Sequence, residues 1–211
     1  MKTFSKWTTE DVVKEFNLRE DLDNQRLASW TTVDDQPSDF EQLHLNHLQH
    51  RLKERIYAWN EQELAINFIG PVLSLVDFNG NQYHSFSERE LSTSYKEERL
   101  YGLVDLVIAD GLFTPEQPYF FLKEFKKEID SSNDPLGQLL IAMVVAQMLN
   151  ENQHPIYGAY VRGRNWHFVL LDGTTYTVHA GFNALTDDLQ KILGVLKNTK
   201  SIIDTLAEQH S

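Results

Sequence analysis

The chain contains no cysteine, so neither disulfide bonds nor thiolate metal ligands are available to it. It also lacks a long apolar run, and no stretch approaches the roughly 20 residues that a membrane-spanning helix needs. Residues 1–16 are polar and mixed in charge, without the apolar core of a signal peptide. We therefore expect a cytoplasmic protein that does not cross a membrane.

Positive charge is scarce, with 19 Lys and Arg against 31 Asp and Glu and a formal net charge of -12. Nonspecific affinity for nucleic acid comes from neutralisation of phosphates by Lys and Arg, so this balance counts against a protein that merely coats nucleic acid. A metal-dependent nuclease is not excluded, because bound cations and a small basic groove supply positive charge locally. The 211 residues, 41% of them hydrophobic, are typical of one globular domain with a substantial core.

The first 59 residues are predicted to be mainly helical. A short helix is expected near residue 9, with Thr9 as its N-cap. A longer helix over residues 38–59 is indicated by an apolar stripe at helical spacing, formed by Leu45, Leu48, Leu52, Ile56 and Trp59. His44, His47 and His50 fan out over its opposite face at about 100° per residue, which favours surface histidines over a metal site.

A second helix is predicted from Asn60, which can form a capping box with Glu63. Its apolar stripe consists of Leu64, Phe68, Val72 and Leu75. Glu61 lies on the midline of that stripe, whereas Glu63 lies nearly opposite. An inward carboxylate needs a partner, and a metal ion is one candidate. The alternative is that the first turn of this helix is exposed to water and that the helix dipole stabilises the Glu61 carboxylate.

Residues 101–127 organise the rest of the chain and are predicted to form two buried strands. The first contains Asp105; the second contains Glu124 and ends near Lys126. Side chains alternate along a strand, so Glu124 and Lys126 are expected on one side, close to Asp105 on the neighbouring strand. Such charges are costly to desolvate without partners. Two carboxylates and an ammonium at one strand edge suit metal-assisted phosphodiester hydrolysis.

Before these two strands, a strand or hairpin is predicted over 81–96. After them, a buried helix is predicted to begin at Asp134 and Pro135. Gln138 lies in the first turn of that helix, where its amide either bonds within the core or reaches the site; we favour the site. Strands follow at 155–161, 166–171 and 174–179, and a helix runs from 183 to the end. Arg162 and Arg164, in the turn between the first two of these strands, either contact phosphates or are solvated.

This order of elements resembles that of the PD-(D/E)XK nuclease superfamily, which has the restriction endonuclease-like fold. The resemblance is carried by Gly102-Leu103-Val104-Asp105 and Glu124-Phe125-Lys126 and covers about residues 60–165. Residues 61–71 (EQELAINFIGP) are similar to the helix that precedes the nuclease core in type I restriction motor subunits and related bacterial proteins. Val104 stands where many members have proline.

The resemblance implies a three-layer α/β/α core with a mixed central sheet in a single domain. Residues 1–59 would be an N-terminal helical extension, 60–165 the core and 166–211 a C-terminal hairpin and helix. Asp105, Glu124 and Glu61 would bind Mg²⁺ or Mn²⁺, and Lys126 would orient the attacking water or stabilise developing charge. Gln138 matches a helix position that often carries a polar residue in these nucleases.

Two functions remain open from the sequence. The first is a metal-dependent nuclease acting on nucleic acid, with DNA favoured over RNA. The second is a catalytically inactive interaction or regulatory protein with the same fold, in which Asp105, Glu124 and Lys126 form only a buried ion-pair cluster. Assembly as a homodimer or within a larger complex is compatible with either.

Overall fold

The computed structural model describes residues 2–126, 134–151 and 153–209, and the side chains of residues 123–126 lie outside the described part. Its helices are α1 (Thr9–Phe16), α2 (Gln25–Thr31), α3 (Asp39–Arg55), α4 (Glu61–Leu64), α5 (Gly70–Ser74), α6 (Pro135–Leu149) and α7 (Asp188–Gln209). Its strands are β1 (Lys2–Thr3), β2 (Arg19–Glu20), β3 (His84–Tyr95), β4 (Glu98–Ala109), β5 (Pro118–Lys126), β6 (Ile156–Arg162), β7 (Asn165–Asp172), β8 (Thr175–Val178) and β9 (Phe182–Asn183). None of these helices is long and apolar enough to cross a bilayer.

All nine strands of the described residues belong to one mixed sheet, which confirms the predicted α/β class. The strand order is β1-β4-β5-β6-β7-β8-β2, with β3 paired to β4 and β9 paired to β7. The pairs β3–β4, β4–β5, β6–β7 and β7–β8 are antiparallel. The neighbours β5 and β6 are parallel, and α6 connects them. Their C-terminal ends therefore meet at one edge of the sheet.

Helices cover both faces of the sheet. On one face α6 packs on β5 and β6, and α1 packs on α6. Almost every side of α6 is buried, as its continuous apolar sequence predicts. On the other face α3, α5 and α7 pack around a second core that includes Leu48, Leu52 and Leu193.

The N-terminal segment contributes strands as well as the predicted helices. β1 pairs with β4, and β2 pairs with β8 at the far end of the sheet. Thr8 rather than Thr9 caps α1, because its hydroxyl accepts from the Asp11 N–H while the Asp11 carboxylate accepts from the Thr8 N–H. The expected Thr9 cap is therefore wrong by one residue.

Other local predictions agree closely with the structure. Asn60 and Glu63 form the predicted capping box, and Asp134 caps α6 through the Gly137 N–H. Of the strand or hairpin predicted over 81–96, the structure has a single strand, β3, followed by a tight turn to β4. Lys96 and Glu97 form that turn with φ values of 46° and 64°.

Candidate active site at the ends of β4 and β5

Asp105 lies half-buried in β4, at an interruption of the ladder with β3. Ser87 pairs with Leu106 and Arg89 pairs with Val104, but Glu88 and Asp105 between them are not a ladder pair. Glu88 has a φ of 51°, a left-handed conformation that non-glycine residues rarely adopt. Backbone irregularities of this kind cluster at functional sites.

The register of β4 and β5 brings Asp105 close to the strand segment that contains Glu124. The ladder ends at the pair Leu106 and Leu122, so Asp105 is one residue beyond the last pair and Glu124 is two. The side chains of Glu124 and Lys126 lie outside the described residues. The backbone thus places the two predicted motifs side by side, while their side-chain geometry remains a prediction.

A β-bulge occurs in β5 at Glu124. Lys123 pairs with Tyr160 and Phe125 with the next residue, Val161, so Glu124 is the extra residue. A bulge breaks the two-residue alternation used to place Glu124 and Lys126 on one side in the sequence analysis. Bulges are common next to active sites, where they redirect a side chain.

Arg162 is brought to the same sheet edge, because β6 runs parallel to β5 and Arg162 pairs with Lys126. Arg164 lies two residues further, in the β6–β7 turn. Its Nη2 atom donates a hydrogen bond of 2.7 Å to the hydroxyl of Tyr57, the second residue after α3. Tyr57 was not predicted as a functional residue; its position near Glu61 in the chain was the available signal.

The start of α6 lies near the end of β6. Burial raises the pKa of the Tyr160 phenol, Asp134 raises it further, and Arg162 opposes the shift. Both charges therefore act on Tyr160 from nearby. Gln138, in the first turn of α6, is only 6% exposed, as expected for a residue directed into the protein. The structure places it in the layer that covers β5 and β6.

Glu61 is exposed to solvent in the first turn of α4. This agrees with the alternative in which the first helical turn lies in water. The helix itself contacts β5. Glu61 therefore lies on an element that borders the candidate site, but it is not buried under the apolar stripe. Its carboxylate does not need a metal ion to offset burial.

A groove of about 430 Å³ opens beside Asp105 on the β4 surface. A hydrogen-bonded ion pair between Arg99 and Glu90, with an N–O distance of 2.6 Å, lies along this surface. The Arg99 guanidinium carbon is 5.3 Å from the centre of the Tyr101 ring. The groove is lined by Thr3, Phe4, Ser5, Glu90, Tyr101, Gly102, Leu103 and Asp105.

Carboxylate oxygens are the protein ligands that Mg²⁺ and Mn²⁺ prefer, so Asp105 and Glu124 fit such an ion chemically. Among the described residues, no group of three or more His, Asp or Glu side chains is arranged to hold a metal; the Glu124 side chain is not in that set. His44, His47 and His50 do not converge on a site, and His50 instead lies 3.4 Å from Glu54.

Comparison of the chain with protein-family models finds no match, and neither does comparison with curated proteins. The functional assignment therefore rests on the residues and their placement.

Proposed function

We propose that the protein is a metal-dependent nuclease that hydrolyses phosphodiester bonds in nucleic acid, with DNA favoured over RNA. One observation carries the proposal: the β4–β5 register sets Asp105 beside the Glu124 segment, where both strands deviate from regular pairing. Acidic residues at adjacent, irregular strand positions are unusual for a purely structural sheet, since regular pairing is the more stable arrangement.

The order of elements supports a restriction endonuclease-like fold for the proposed nuclease. Helical residues 61–74 precede β3, β4 and β5, after which α6 leads to β6. Asp105 belongs to the second of these strands and Glu124 and Lys126 to the third, as in the resemblance drawn from the sequence. The arrangement of helices on both faces is that of a three-layer α/β/α core.

Each candidate residue has a distinct role in this proposal. Asp105 and Glu124 would hold Mg²⁺ or Mn²⁺, with Glu61 as a further ligand from α4. The bound ion would polarise the scissile phosphate and lower the pKa of a water molecule. Lys126 would orient that water or stabilise developing charge. Gln138 would position these groups from α6, while Arg162 and Arg164 would contact phosphates.

Cleavage of supercoiled plasmid and of single-stranded oligonucleotides, with Mg²⁺, Mn²⁺ or EDTA, tests the proposal. We expect metal-dependent cleavage that falls at least about 100-fold in Glu124→Gln and Lys126→Ala, because each removes a group that stabilises the transition state. Lys53→Ala, on the exposed side of α3, is the matched control and should cleave normally. Absence of cleavage with either metal, or full activity in Glu124→Gln, would overturn the assignment.

The net charge of -12 favours a second candidate, a noncatalytic interaction or regulatory protein with a nuclease-like fold. This candidate predicts a stable complex with a partner and no binding of Mg²⁺ or Mn²⁺ in calorimetry. Glu124→Gln would then leave partner binding unchanged and would lower stability, because it removes one member of the buried ion-pair cluster. Metal binding that requires Glu124 would exclude it.

A further inference from the structure

Tyr57 presents a large aromatic ring at the protein surface and is held by Arg164. The residue is 70% exposed, and its hydroxyl accepts the hydrogen bond from Arg164 Nη2 at 2.7 Å. The guanidinium carbon lies 5.5 Å from the ring centre. A polar contact and a cation–π contact from one arginine restrict the ring, so little conformational freedom remains to be lost when a ligand stacks on it.

The Tyr57–Arg164 pair lies at the border of the proposed site. Arg164 is two residues from Arg162, whose backbone pairs with that of Lys126. On its other side, Tyr57 is four residues before Glu61, which begins the helix that contacts β5. The ring thus lies between α4 and the shared C-terminal edge of β5 and β6.

We propose that Tyr57, oriented by Arg164, is a stacking platform for an unpaired base, and that the substrate is single-stranded nucleic acid. This inference rests on the proposed function, since it takes the end of the β4–β5 ladder, at Asp105 and the Glu124 segment, as the position of the scissile phosphate. Aromatic rings stack on any base whose face is free, whereas in a duplex both faces are covered by neighbouring bases. As in the proposed function, Arg162 and Arg164 would contact phosphates of the same strand.

The charge of the chain favours this mode of binding over duplex binding. Duplex affinity without sequence specificity grows with the number of phosphates neutralised, and a chain with net charge -12 is poorly equipped for that. Stacking supplies affinity that does not depend on a large basic surface. The Tyr57 ring and the Arg164 guanidinium provide a stacking face and a positive charge within a small area.

Binding of a fluorescent 12-nucleotide single strand, measured in EDTA so that cleavage cannot occur, tests the platform. We expect Tyr57→Ala to weaken binding about tenfold or more, and Tyr57→Phe to retain most of the affinity because it keeps the ring. Phe40→Ala is the matched control: Phe40 is also 70% exposed but lies at the other end of α3, about 25 Å away. The melting temperature of each variant is measured in parallel.

Equal binding by the wild type and Tyr57→Ala would overturn the platform, and so would a loss of binding that Phe40→Ala shares. A loss of binding that parallels a fall in melting temperature would also overturn it, because Tyr57 would then only fasten the β6–β7 turn. A blunt-ended duplex bound as tightly as the single strand would contradict the substrate class. If the protein binds single strands through Tyr57 but cleaves no nucleic acid, only the proposed nuclease activity is refuted. If it cleaves nucleic acid but binds equally well without the Tyr57 ring, only the stacking role of Tyr57 is refuted.

Discussion

The Asp134 carboxylate accepts two hydrogen bonds from Thr9, which is 125 residues away in the chain. The Thr9 backbone N–H donates to Oδ2 at 2.6 Å, and its hydroxyl donates to Oδ1 at 2.9 Å. The same carboxylate caps α6 by accepting from the Gly137 N–H at 2.9 Å. One side chain therefore fixes the start of α6, beside the candidate site, to the start of α1.

Asp134→Ala should lower the free energy of unfolding by about 2–4 kcal/mol, since it removes a helix cap and two further hydrogen bonds. Urea denaturation monitored by circular dichroism measures the loss. Asp134→Asn keeps one acceptor oxygen and should lose less than Asp134→Ala. Equal stability of Asp134→Ala and wild type would show that solvent replaces these contacts without penalty.

Gly137→Ala should destabilise the protein, although alanine is normally about 1 kcal/mol better than glycine within a helix. A Cβ atom at this position would lie 2.4 Å from the backbone carbonyl carbon of Thr8 and from the Thr9 nitrogen, and backbone cannot move aside cheaply. We expect a cost of about 1–3 kcal/mol in thermal or urea denaturation, as for overpacked cores.

Gly194→Ala in α7 is the matched control for Gly137→Ala. Its Cβ would lie 2.2 Å from Cγ1 of Val33, a half-buried loop residue whose side chain can move at lower cost than the backbone met at Gly137. The smaller penalty should therefore be at Gly194. A stabilised Gly137→Ala variant would show that α1 and α6 separate easily.

We expect Thr199 to stabilise the fold through its hydroxyl group rather than through the volume of its side chain. Its Oγ1 accepts from Trp30 Nε1 at 2.9 Å in a fully buried contact and donates to the Val195 carbonyl. Thr199→Val keeps the volume but leaves the indole N–H unpaired, at a cost of about 1–3 kcal/mol. Thr199→Ser keeps the hydroxyl and should be closer to wild type in chemical denaturation. Identical stability of the Val and Ser variants would refute this explanation.

Mild acid should weaken the region around β7 and β8. Burial lowers the pKa of His167 below its ordinary value of 6.5, and burial followed by repulsion from His167 lowers the pKa of His179. The unfolded chain then binds protons more readily than the folded chain, so stability is complete above pH 6.5 and falls as the pH drops below it. The pKa of Asp188 is lowered from 3.8, so protonation of such carboxylates reduces stability only at a lower pH than protonation of the histidines.

His167→Phe tests this pH dependence, because phenylalanine keeps the stacking on Tyr160, whose ring centre lies 4.7 Å away, and cannot titrate. Urea midpoints are compared at pH 7.5 and at about pH 5. We expect the wild type to lose more stability between these values than the variant. Equal losses would show that the pKa of His167 is the same in the folded and unfolded chains.

Predictions from the sequence were most accurate where a signal lies within a few residues. The Asn60–Glu63 capping box and the Asp134 cap depend on side chains bonding to backbone three positions away, so the pattern contains the whole interaction. The continuous apolar run of α6 likewise predicts its burial on all sides. The motif strands β4 and β5 are recognisable for the same reason, as apolar runs between turn residues.

Predictions were less accurate where backbone conformation is not typical of the residues. Lys96 and Glu97 form a tight turn with positive φ without the Asn or Gly that usually indicates one, so β3 and β4 were not expected to form so long a hairpin. β1 and β2 have two residues each and show no periodicity. They exist because β4 and β8 offer unpaired edges at those positions.

The α/β class, several helix starts and the residue types of the proposed metal and phosphate site follow from the sequence alone, because these depend on periodicity, capping and side-chain chemistry. The parallel arrangement of β5 and β6, the pairing of Arg162 with Lys126 and the contact of Tyr57 with Arg164 are properties of the three-dimensional fold. Those relationships join residues tens of positions apart, and the packing of α3 and α6 on opposite faces of the sheet brings them together.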